Sequence, residues 1–116
     1  MKDNVVKYKS LEFAVRIVNL YKFLVNEQKE FVMSKQILRS GTSIGANIRE
    51  AEQAQSRADF INKLNIALKE ANETEYWLEL LIRTEYITRE QYESINNDST
   101  EINKLLISII KTTKNN

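Results

Sequence analysis

The 116-residue chain has no cysteine, no histidine and no proline, and only two glycines. Without cysteine or histidine there are no disulfides, thiol nucleophiles or imidazole bases, and the commonest transition-metal ligands are missing. Hydrolytic catalysis, a metal site and a bound cofactor are therefore not expected. Without proline and with short polar runs, nothing marks a linker or a second domain, so residues 1–116 read as a single domain. No run approaches the roughly 18 uncharged apolar residues needed to span a bilayer, and the opening "MKDNVVKYKS" lacks the apolar stretch of a secretion signal. A cytoplasmic protein with no membrane partner is the expectation. Seventeen basic and sixteen acidic residues leave a net charge of +1. No global field draws the chain to nucleic acid, and any such contact must come from a local patch.

What the chain does have is helical periodicity. Four segments carry apolar residues at spacings of three and four: about 10–26, 29–54, 57–84 and 88–112. Ser10 is a candidate N-cap for the first and Ser56 for the third, and "TREQ" from Thr88 has capping-box spacing for the fourth. Connections of two to six residues force consecutive helices antiparallel. The expected fold is all-α, an antiparallel up-and-down four-helix bundle.

Both glycines fall in "RSGTSIGANIRE", residues 39–50. Ile37, Gly41, Ile44, Ile48 and Ala51 continue one seam through them without a break in phase, so the stretch reads as helix. It matches neither G-x-G-x-x-G nor the P-loop pattern, and no strand precedes it, which argues against a phosphate cradle. Each glycine inside a helix costs about 1 kcal/mol relative to alanine. A close helix crossing would offset that cost, and Ser40, Gly41, Ser43, Gly45 and Asn47 are the candidate close-packing residues. Ser40, Ser43 and Asn47 are expected to form an interhelical hydrogen-bond network.

Residues 36–81, "QILRSGTSIGANIREAEQAQSRADFINKLNIALKEANETEYWLELL", resemble the small bacterial four-helix-bundle proteins known as 23S rRNA intervening-sequence proteins. Gln36, Arg39, Ser40, Ser43, Ile44, Ala46, Asn47, Ile48 and Glu50 fit that family's helix-two motif. Many members have proline where Gly45 stands and glycine where Ala51 stands, which leaves a kink at Gly45 open. Another family glycine commonly stands where this chain has Glu85. The resemblance implies a bundle that assembles as a ring-like homopentamer, with no established enzymatic activity and a connection to RNA. The family is related in fold to the accessory variability determinant of diversity-generating retroelements.

Apolar positions also exceed the needs of one core. Helix one carries Phe13, Ile17, Leu20 and Leu24 beside a second stripe of Ala14, Val18, Tyr21 and Val25, and helix three places Ile66, Trp77 and Leu80 off its core face. Phe13, Ile17, Leu20, Leu24, Ile66, Trp77 and Leu80 are the candidate oligomer interface, because contiguous exposed apolar surface marks contact sites. Lys35, Arg39, Arg49 and Arg57 trace a line opposite the isoleucine seam of helix two and are the candidate nucleic-acid contacts. The same line also reads as a solvated face or as ion-pair partners for nearby glutamates. Glu70, Glu73, Glu75 and Glu79 lack the Glu-x-x-His companion of a di-iron site, so no metal is expected there. Two readings follow: a non-enzymatic oligomeric scaffold that binds RNA or another nucleic acid, or a protein–protein adaptor that never touches one.

Overall fold

A computed structural model describes the chain from residue 2 onward, with side chains from residue 5. Four helices form: α1 (Lys2–Asn26), α2 (Met33–Ala51), α3 (Arg57–Arg83) and α4 (Arg89–Lys114). Each packs on two neighbours, in the closed circuit α1 to α2 to α3 to α4 and back to α1, while the diagonal pairs stay apart. The bundle measures 47 × 21 × 19 Å. Inside it lie the periodic residues, among them Phe13, Ile17 and Leu24 of α1, Ile37 and Ile44 of α2, Leu64, Leu78 and Leu81 of α3, and Ile102 and Leu106 of α4. Among the described residues, no helix is long and apolar enough to cross a membrane.

α1 begins eight residues before the expected start. Ser10 caps nothing: it is buried in mid-helix and its hydroxyl donates to the Lys7 carbonyl at 3.0 Å. Satisfied within its own turn, so small a side chain can face the neighbouring backbone of α2. α2 is shorter than expected at both ends. Lys29 adopts φ 53°, outside helical space, and the buried Glu30 carboxylate then accepts from the backbone N–H groups of Val32, Met33 and Ser34 at 3.2, 3.0 and 2.7 Å. Those donors have no intrahelical partner, and a negative charge is favourable at a helix N-terminus. At the other end the chain tightens after Ala51 into i to i+3 bonds, from Glu52, Gln53 and Ala54 to Arg49, Glu50 and Ala51.

Two caps are as expected. Ser56 accepts from the Asp59 N–H at 3.1 Å, and Thr88 and Gln91 form a reciprocal capping box with distances of 3.1 and 2.8 Å. α3 closes with the Glu85 N–H on the Ile82 carbonyl and the Tyr86 N–H on that of Leu81, a Schellman pattern that puts Glu85 at φ 67°.

Candidate assembly faces and basic surface

The small-residue stretch of α2 faces α1. A Cβ at Gly41 would lie 2.7 and 2.8 Å from the two γ-carbons of Ile17, and one at Gly45 would lie 3.3 Å from the Ser10 hydroxyl. Neither glycine has positive φ, and α2 runs through both. They are there for proximity and not for backbone freedom. The polar residues around them divide. Ser40, fully buried, accepts from the Thr74 hydroxyl of α3 at 2.9 Å. Ser43 donates instead to the Arg39 carbonyl and Asn47 to that of Ser43, both within α2. Of these three residues only Ser40 links helices, through Thr74, because the short Ser43 hydroxyl and Asn47 amide each find the carbonyl four residues back within their own helix.

Phe13, Ile17, Leu20 and Leu24 are buried by this chain's own helices, at 1, 0, 6 and 0 % exposure, and are not available as an oligomer surface. This stripe is the one on the side of α1 that packs against α2 and α4. The exposed apolar residues of α1 are Val5, Tyr8, Leu11 and Val15, spaced three, three and four apart. That spacing is legible in the sequence, but a helix started at Ser10 cuts it in half. On α3, Ile66, Trp77 and Leu80 are half-buried. The Trp77 indole N–H donates to Glu73 at 3.2 Å, and its ring meets the exposed Tyr76 edge-on at 5.0 Å. Tyr76 and Leu80, with Glu79 and Arg83, line an open surface pocket of about 220 Å³. The two faces sit on α1 and α3, the diagonal pair of the circuit, whose backbones do not approach each other among the described residues.

The basic line along α2 is interrupted at its centre. Arg39 reaches across to α3, to Glu73 at 2.5 Å and Glu70 at 3.3 Å, and bonding to Glu73 and then Glu70 holds the guanidinium above its ordinary pKa. The same contact, followed by the Trp77 indole, holds the Glu73 carboxyl below the usual carboxylate range. Glu50 pairs with Lys63 at 2.9 Å and raises its pKa. Lys35, Arg49 and Arg57 are exposed and make no ion pair among the described residues. Lys35, however, lies at the opposite end of the bundle from Arg49 and Arg57, since it sits in the first turn of α2. The acidic residues of α3 are likewise dispersed: Glu75 accepts from Ser99 and Asn103 of α4 at 3.0 and 2.7 Å, and Glu79 pairs with Arg83. Among the described residues, no group of three or more His, Cys, Asp or Glu is arranged to hold a metal ion.

A closed antiparallel bundle with a glycine-thinned second helix, and with apolar residues left over on two outer corners, belongs to the class of small all-α four-helix bundles. The family model for the 23S rRNA-intervening sequence protein matches residues 2–108, and the chain belongs to that family. A crystal structure of a protein of unknown function from the S23 ribosomal protein family, from Bacteroides thetaiotaomicron VPI-5482, is 99 % identical, with a TM-score of 0.95 over 96 % of this chain and 99 % of that one. Among curated proteins, none matches.

Proposed function

We propose that the protein is a non-enzymatic scaffold of the cytoplasm that assembles with copies of itself. The observation that carries this reading is the pair of apolar faces, Val5, Tyr8, Leu11 and Val15 on α1 and Ile66, Tyr76 and Leu80 on α3, placed on helices at opposite corners of the bundle. Different patches on opposite sides favour a heterologous contact, in which the α1 face of one copy meets the α3 face of the next. Such contacts repeat until they close, and five copies is the number the family resemblance implies. The absence of histidine and cysteine supports a role without catalysis.

Light scattering of the purified chain at micromolar concentration tests this. The expected mass is a multiple of 13.6 kDa, near five-fold. Leu11→Asp with Val15→Asp on one face, or Leu80→Lys on the other, should each lower the mass while leaving the helical circular-dichroism signal unchanged. A monomeric wild type removes the proposal. A protein adaptor is the second reading, and Phe31 and Val32 favour it: both are exposed, at 53 and 71 %, on a connection held rigid by the Glu30 bonds.

A further inference from the structure

The net charge of +1 hides a division along the length of the molecule. Cutting each helix near its midpoint separates two ends. The end with the 27–32 and 84–88 connections comprises residues 15–42 and 70–101 and carries seven basic and eleven acidic side chains, a net of −4. The end with the 52–56 connection comprises residues 5–14, 43–69 and 102–116 and carries nine basic and four acidic side chains, a net of +5. These levels are fixed by contacts across the seams: Lys7 with Glu52, Glu50 with Lys63, and the Val6, Ile48, Ala51, Phe60, Leu64 and Ile109 side chains that meet around one small apolar pocket at the basic end.

Pairing does not cancel the excess. Lys7 and Lys63 have partners in Glu52 and Glu50, and Lys9 reaches Glu101 on the far side of the cut, but Arg49, Arg57, Lys111 and Lys114 are exposed and have no ion pair among the described residues. Three of these four lie in last helical turns, where a cation complements the helix dipole. Arg57 does not. It is the first residue of α3, where the dipole disfavours positive charge, so local helix electrostatics give no reason for it.

We propose that this basic end, and not the line along α2, is a docking surface for the phosphate backbone of a nucleic acid. The surface belongs to the single chain and does not depend on assembly, but assembly multiplies it. Cyclic symmetry turns every copy the same way up, so all basic ends share one rim and a strand can engage several at once. Preference for sequence should be weak, because phosphate contacts position a strand without reading bases and no aromatic side chain stands among these four cations.

The test is fluorescence anisotropy with a labelled single-stranded 20-nucleotide RNA at 50 and 200 mM salt, with poly-glutamate as competitor. Light scattering and circular dichroism are recorded for every variant, so that loss of assembly or folding is seen separately. Wild type should bind and should lose affinity steeply at the higher salt. Arg49→Glu with Arg57→Glu, and independently Lys111→Glu with Lys114→Glu, should each weaken binding by about tenfold or more. Lys29→Glu with Lys35→Glu at the acidic end should change it less than about threefold. Absence of binding at 50 mM salt, or equal loss from both ends, overturns the proposal. So does poly-glutamate displacing the RNA as effectively as unlabelled RNA at equal charge, since the surface would then fit an acidic protein.

Discussion

Gly41 and Gly45 look alike in the sequence and differ in what stands opposite. At Gly41 an added methyl meets the branched, stiff Ile17 at its β- and γ-carbons, at 3.2, 2.7 and 2.8 Å. Gly41→Ala should therefore lower the melting temperature, although alanine is the better helix former by about 1 kcal/mol. Gly41→Leu should cost about 1–3 kcal/mol through overpacking. Gly45→Ala meets Ser10 at 3.3 Å, a contact that a small shift relieves, and should melt above Gly41→Ala. If Gly41→Ala melts above wild type, the close approach of α1 and α2 is wrong. Glu85 is the reverse case. Its φ of 67° favours glycine, and Glu85→Gly should raise stability by about 0.5–1 kcal/mol in thermal or denaturant melts. The resemblance read from the sequence already singles out position 85, and the left-handed backbone there supplies a reason.

At the scale of the helices, α2 depends on groups outside itself. Glu30→Ala removes the acceptor for three backbone donors and should cost about 1–3 kcal/mol, measured by urea denaturation. An unchanged midpoint would mean that water replaces the carboxylate without loss. The α2 to α3 seam has a pH-dependent part. Because the folded Glu73 carboxyl titrates below its unfolded value of about 4.3, its pairing with Arg39 contributes above that pH and is lost as pH falls through the lowered value. Both partners are substantially exposed, so Glu73→Gln should cost less than about 1 kcal/mol at pH 7, with the difference vanishing on acidification. Helix number and the Ser56 and Thr88 caps were legible because apolar spacing and capping chemistry are local. The start of α1 and the start of α2 were not. Ser10 has the composition of a cap but faces the neighbouring backbone, and Glu30 is a side chain acting two to four residues ahead, a role no local propensity encodes.

For the whole molecule, the distinction that sequence patterning missed was between surplus apolar residues and core. Phe13, Ile17, Leu20 and Leu24 fill the interior, and the surplus is on the other side of α1, because four helices in a closed circuit bury a stripe on each that faces two neighbours at once. The charge division was equally hidden. It depends on which helix ends share a level, and a total of +1 reports nothing about that. The alignment of Lys35 and Arg57 along one helical line failed for the same reason: α2 stops at Ala51, so Arg57 begins a different helix running the other way.

The empty diagonals of that circuit make interaction energies informative. The backbones of α1 and α3 stay apart and their outer faces point away from the shared core, so substitutions on those faces should change the stability of an isolated copy independently, their effects adding to within about 0.3–0.5 kcal/mol. A double-mutant cycle between Leu11 and Leu80 should therefore show no coupling in dilute, dissociated protein. If copies join through these faces as proposed, the same pair meets across a subunit boundary and coupling should emerge as concentration rises. Non-additivity between two residues that never meet in one molecule would then be a direct reading of contact between two.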